Sequence, residues 1–274
     1  MKGSFIDNAS LGKNKWWHYA SSIFSVVVVI AILNIIIRQA IPDIKKLFPD
    51  NDFGKNLFTY ILVFVIMGVA LLAFLVVASK QHQRPKMSFI SSKDTLSLRQ
   101  YFLGFVSWGS ILFIGSSIFE YQKLEYFLAN FNLYQFTVLF LVGFVAIGVQ
   151  SFFEELVLRG YLLQGMHLLI KKVVLLVLLN SLVFGVLHFG YGIESFLSSV
   201  TFGVAFTTIV IVQNRIEFVS GAHNANNLIL SLIFLDLSKA TNEAFSWEID
   251  WRYFSYHSIA LLILVALVYK FFRR

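Results

Sequence analysis

The sequence predicts an all-α bundle of about eight membrane-spanning helices, and three observations predict it. Of 274 residues, 58% are hydrophobic and only 14% charged, with mean hydropathy +0.75. A soluble domain carries roughly a quarter charged residues. The apolar residues fall into runs close to the ~20 residues that a bilayer requires of a helix. The charged residues collect between those runs, and no polar segment is long enough to form a soluble domain.

The first span is expected at 18–40. It follows a basic start (Lys2, Lys13, Lys15), but its apolar run from Tyr19 to Ile37 is too long for a signal-peptide core and lacks a small-residue cleavage site. Further spans are expected at 57–79, 100–119, 133–153 continuing to about 165, 173–189, 195–213, 218–235 and 254–271. The sixth and seventh are diluted by Ser198, Ser199, Thr201 and the run Asn224–Asn227. All three prolines (Pro42, Pro49, Pro85) are expected in loops, where a missing N–H does least harm. The chain divides into N-terminal spans at 1–132, a membrane core at 133–235, and a loop with the last span at 236–274.

The net charge of +7 fits basic cytoplasmic loops and excludes nucleic acid as the implied partner. With the N-terminus inside, inner segments hold fifteen of the 22 lysines and arginines and outer segments seven. This puts both termini in the cytoplasm, with Lys270, Arg273 and Arg274 closing the chain. Absence of cysteine removes disulfides, thiolate metal sites and a cysteine nucleophile.

Two carboxylates do not obey this partition. Glu154 and Glu155 stand inside a continuing helical run, and intramembrane carboxylates are costly enough to suggest function. Glu155 and Arg159 are four residues apart, the spacing of an ion pair along one helical face. Glu154 is rotated off that face. Phe184 with His188, and His223 with Asn227, repeat the i,i+4 spacing on two other helices. At ~1.5 Å per residue, Glu154, His188, His223 and Asn227 all fall in the middle portion of the bilayer. The cheapest place for them is one cavity among three helices, expected to be wetted from the cytoplasmic side. His18, His82, His167 and His257 lie near expected ends or in loops and read as interfacial.

Taken singly, these groups have ordinary structural readings: an ion pair, a core histidine, interhelical hydrogen bonds. Taken together they can hydrolyse an amide. A carboxylate deprotonates water, while histidines and an asparagine hydrogen-bond an oxyanion. Ser151, Ser181 and Ser220 have no Ser–His or Ser–Lys partnership by spacing. Glu154, His188 and His223 are also a zinc-type ligand set for one divalent metal, though the HExxH helix is missing. Spacing does not choose between the two.

EELVLR (154–159), FGVLH (184–188) and HNANN (223–227) read as EExxxR, FxxxH and HxxxN. In this order, on successive helices, they resemble the CAAX protease and bacteriocin-processing family, also called Abi, of intramembrane proteases. The resemblance covers about residues 133–235. It implies a helical membrane core open to the cytosol. Glu154 would activate water, supported by Glu155 and Arg159. His188 and His223 would partner water, metal or oxyanion, and Asn227 would donate to the oxyanion. It implies a membrane-associated peptide or protein substrate, of the CAAX, bacteriocin or signalling type, or a role in bacteriocin self-immunity. Short loops fit a member from a bacterial cell membrane. Some members are non-catalytic, so a membrane-protein partner is the alternative reading. A proton-coupled transporter is a third, weakened by the absence of repeats and Pro-broken helices.

Overall fold

The computed structural model describes residues 4–93, 95–234 and 245–272. Among these it contains ten α-helices and one isolated antiparallel bridge, Ser91 with Arg215. The helices are α1 (Trp16–Lys45), α2 (Asp52–His82), α3 (Leu98–Phe119), α4 (Tyr121–Ala129), α5 (Leu133–Glu155), α6 (Leu163–Leu169), α7 (Val173–His188), α8 (Ile193–Gln213), α9 (Glu217–Ile229) and α10 (Trp251–Phe272). Wide, π-type turns continue α5 through Leu156–Leu162 and α9 through Leu230–Phe234. Seven of the helical segments are long and apolar enough to cross a membrane, α5 and α6 counting as one of 37 residues. The chain is an integral membrane helix bundle.

The expected span at 218–235 is a helix too, but of another kind. Its first nine residues, Glu217–Ala225, are buried against other helices, polar Glu217, Ser220, His223 and Asn224 among them. Its last residue, 235, lies outside the described residues, as do Arg273, Arg274 and most of the expected loop after 235. Pro42 corrects one expectation. It lies inside α1, not in a loop, one turn from the helix end, where few intrahelical bonds remain to be lost.

Local chemistry starts the helices. Asn51, Ser97 and Asn132 side chains accept from Gly54, Gln100 and Gln135 N–H at the starts of α2, α3 and α5. Asp250 accepts from Arg252 and Tyr253 N–H at the start of α10. Large apolar side chains such as Phe24, Ile35, Leu72 and Leu262 point outward, as suits a lipid solvent.

The deepest packing joins α3 to α9. A Cβ on Gly104 would lie 1.9 Å from the Phe218 carbonyl oxygen, and one on Gly221 would lie 1.9 Å from that of Tyr101. Only glycine permits these two backbones to meet so closely, the small-residue packing typical of membrane helices. With Ala222 and Ala225 also buried, α9 sinks into the bundle and carries its polar stripe inward.

One end of the bundle is tied shut. Phe5, Ile6 and Ala9 of an N-terminal turn are buried there. Phe5 N–H donates to Asn214 (2.7 Å) and Asn8 to the Ser88 carbonyl (3.0 Å). Arg84 donates to the Asn8 carbonyl (3.0 Å) and to Gln164, and lies over Phe89 at 3.9 Å. Burial pushes its guanidinium down to about 10. His82, read from sequence as interfacial, is fully buried here, bonded to the Lys13 carbonyl and the Tyr161 hydroxyl, each at 2.7 Å.

Candidate active site

The site is built where α5, α7 and α9 meet. Glu155 ends α5 and is 0% exposed, as is Arg159, which sits in the π-type segment one turn on. Such wide turns often mark functional positions in helices. Arg159 Nη1 donates to Glu155 Oε1 at 3.0 Å, and its guanidinium lies 4.5 Å from the Phe184 ring centre on α7. The expected i,i+4 ion pair is therefore present, and Phe184 is its second support.

His223 on α9 faces both carboxylates. Its Nδ1 is 2.8 Å from Glu155 Oε1 and its Nε2 is 3.7 Å from Glu154 Oε2. An ionised carboxylate only accepts, so the proton belongs on Nδ1 and a neutral His223 presents an Nε2 lone pair to Glu154. Glu154 is the more open of the two carboxylates, its side chain 25% exposed, and accepts from Gln150 at 3.1 Å. One buried carboxylate is thus held by charge while its neighbour remains accessible, as the one-residue rotation predicts.

Beside this cluster lies a cavity of about 250 Å³. Phe184, His188, Phe202, His223 and Asn227 are among its walls. His188 Nδ1 is 2.9 Å from the Phe184 carbonyl, which fixes the proton there and leaves Nε2 for other partners. Asn227 Oδ1 accepts from Asn226 (3.1 Å), whose own Oδ1 accepts from Trp108 on α3 (3.1 Å). This chain orients the Asn227 amide so that its NH₂ is the end left for a ligand. The structure therefore brings Glu155, Arg159 and His223 into one bonded cluster, places Glu154 3.7 Å from His223 Nε2, and sets His188 and Asn227 on the adjoining cavity wall.

Glu154, His188 and His223 do not gather as a metal set. Nδ1 of His223 is held by Glu155 and Nδ1 of His188 by a carbonyl, so each ring has only Nε2 to offer a ligand. Among the described residues no three His, Asp or Glu side chains group as ligands. The donor set suits hydrogen bonding to water and substrate.

Sequence reading missed several wall residues. His257, expected at an interface, lines the cavity 7% exposed, its ring parallel to Phe202 (15° between planes) and edge-on to Trp108. Tyr253 lines it too, 3.2 Å from Ser116. Asn226 is a further wall residue, and Trp108 and Gln150 lie one step behind, bonded to Asn226 and Glu154. Gln150 lies four residues before Glu154, a spacing that could have signalled it.

The cavity's place corrects another expectation. Its walls come from the last turn of α7 (His188), the first turns of α8 (Ser195, Ser198) and of α10 (Tyr253, His257), and the far end of α9. All of these lie at the bundle end opposite the tied N-terminal end. The termini and the cavity mouth therefore cannot both face the cytoplasm. The wide α7–α8 reversal at Gly192 (φ +108°) and the neighbouring 245–250 segment form the rim.

A helical membrane bundle enclosing a glutamate–arginine–histidine cluster beside a cavity walled by histidine, serine, asparagine and aromatic side chains is the class that fold and site define. Within it, residues 134–229 match the family model described as type II CAAX prenyl endopeptidase Rce1-like. The matched region contains the three motifs, Glu154–Arg159, Phe184–His188 and His223–Asn227, that resemble the CAAX protease and bacteriocin-processing family. It is 26% identical over 245 residues to the uncharacterized protein YyaK of Bacillus subtilis (strain 168), an alignment covering 82% of this chain and 80% of that one. No solved structure matches.

Proposed function

We propose that this chain is an intramembrane endopeptidase that hydrolyses a peptide bond of a membrane-associated protein or peptide with a glutamate-activated water. The observation that carries this reading is the 3.7 Å gap between Glu154 Oε2 and His223 Nε2. Both atoms are acceptors, and a separation beyond hydrogen-bond length invites a bridging water. A water ~2.8 Å from each would donate both its protons and turn a lone pair outward.

In this mechanism Glu154 takes a proton as the water oxygen attacks the substrate carbonyl. Glu155 keeps the His223 proton on Nδ1, and Arg159 braces Glu155 through its Oε1. The Asn227 NH₂ hydrogen-bonds the developing oxyanion, with His188 as second partner. The proton held by Glu154 then passes to the departing amine. A scissile bond in the cavity beside His223 would lie against His188 and Asn227, with Glu154 3.7 Å from the His223 ring nitrogen.

The test compares wild type with Glu154→Gln for membrane-associated peptides and processed protein termini by mass spectrometry. A fragment lost only in the variant identifies the substrate. Matching profiles, with a deletion phenotype rescued by Glu154→Gln, would make the chain a non-catalytic partner.

A further inference from the structure

We infer that the α10 face of the cavity is a recognition subsite for a neutral aromatic side chain that carries a hydrogen-bonding group, of the tyrosine type. That this side chain belongs to a peptide substrate rests on the protease reading; that the face binds such a group does not.

Three histidines line the cavity, and His257 differs from the other two. His188 and His223 each hold a bond through Nδ1. His257 is 7% exposed, its Nδ1 is buried without a partner, and no described residue bonds either ring nitrogen. A neutral imidazole donates from one nitrogen and accepts at the other. Leaving such groups unmet in a protein interior is costly and calls for a reason. The glutamate-activated water needs nothing from this residue. The cavity it lines is where a partner can arrive.

Rings, not hydrogen bonds, hold the imidazole in place. It lies parallel to Phe202 (6.2 Å between centres, 15° between planes) and edge-on to Trp108 (5.2 Å, 83°). Tyr253, one turn earlier on the same face, has its hydroxyl 3.2 Å from that of Ser116 on α3. The helix behind them is seated tightly, since a Cβ on Gly115 of α3 would lie 1.9 Å from the Tyr256 ring. The wall is therefore ordered before anything binds, which lowers the cost of recognition.

Phe202 also places the occupant. Its ring centre is 5.5 Å from that of His223 and 6.2 Å from that of His257. A side chain against His257 is then one neighbour away from a peptide bond held at His223. Because α10 lies outside residues 134–229, the recognition wall and the catalytic wall come from different stretches of chain.

The walls choose the chemistry. Among the described residues lining the cavity there is no Lys, Arg, Asp or Glu, so a charged side chain would enter without a counter-charge. Phe184, Phe202 and Tyr253 offer rings to another ring. A phenol hydroxyl both donates and accepts, so it satisfies His257 whichever nitrogen holds the proton. A volume of about 250 Å³ is below the ~300–1,000 Å³ of sites for whole small molecules, and suits single side chains.

The test titrates full-length protein in lipid nanodiscs with p-cresol and with toluene, the free equivalents of tyrosine and phenylalanine side chains. Binding is read by saturation-transfer NMR. p-Cresol is expected to bind about tenfold to a hundredfold tighter than toluene, a preference lost in His257→Phe and kept in His257→Gln. Equal binding, no binding, or a preference that survives His257→Phe overturns the inference. Peptides whose cleavage depends on Glu154 are then compared with versions in which tyrosine near the cut is phenylalanine. The change is expected to lower kcat/KM by a similar factor in wild type and to have no effect in His257→Phe. A merely structural His257 would slow both peptides alike and keep their ratio, which overturns the inference, as do cut peptides with no hydroxyl-bearing aromatic residue near the scissile bond. A probe preference without any Glu154-dependent cleavage leaves the subsite standing and tells against proteolysis. Glu154-dependent cleavage without a probe preference does the reverse.

Discussion

At the tied end, loops fold back on one another until even His82 and Arg84 are buried and partnered. At the cavity end, helices simply stop, and their first and last turns stand apart around a space lined by histidine, serine and asparagine. Both ends are polar, yet only one is accessible. The difference lies in where the polar groups find partners. Backbone carbonyls and the N-terminal turn satisfy the tied end. The cavity end leaves Asn227 NH₂ and His188 Nε2 without a bond to any described residue, which is the state a site needs before its ligand arrives.

The contrast can be broken most severely at Glu154. Glu154→Gln is expected to lower cleavage by ~10²–10⁴ while leaving thermal unfolding in detergent unchanged, since removing a general base costs about that much. Next comes the brace. Arg159→Ala leaves Glu155 buried with an uncompensated charge, a loss of about 3–5 kcal/mol readable as a lowered unfolding midpoint. Replacing both partners with apolar residues, as in Glu155→Leu with Arg159→Met, is expected to restore much of that stability but not cleavage. Gly221→Val tests the close α3–α9 contact. Overpacking there is expected to cost about 1–3 kcal/mol and to weaken activity by shifting His223. Trp108→Phe removes the donor that positions Asn226, and is expected to cost about 1 kcal/mol, with a fall in kcat larger than the change in KM. The smallest effect is expected at the tied end. The Ser4 hydroxyl bond holds the Asp7 carboxyl below its usual 3.8, against a smaller opposing effect of burial. A depressed folded value means stability that is present above the ordinary Asp range and lost as pH falls through the folded value. Asp7→Asn should abolish that acid-side slope in a pH series, with little change in activity because Asp7 is half exposed.

Much of this molecule is written in local pattern. Eight apolar runs became eight helices with ends shifted by a few residues, because lipid demands helices wherever the chain is apolar. The brace between Glu155 and Arg159 was legible because i,i+4 geometry is local. The short helix α4, the two wide turns and the buried state of His82 and His257 were not. Each depends on partners more than 50 residues away or on a helix distortion with no composition signature. Depth from the nearest loop put His188, His223 and Asn227 in one layer. It could not tell which end of that layer was open, since a hydropathy count measures distance along a helix and not what fills the space beside it.

The wide turn at Leu156–Leu162 has a further consequence. It is equivalent to one residue too many threaded into a regular helix. Each residue turns an α-helix by ~100°, so deleting one residue from this stretch would let it snap to regular winding and swing everything beyond it by that angle. Tyr161, Gln164 and His167 fasten the tied end. The glutamates face the site. The surplus residue is therefore the gear between two engagements on one rod, and a single in-frame deletion there should disengage one of them without changing the chemical character of any remaining side chain.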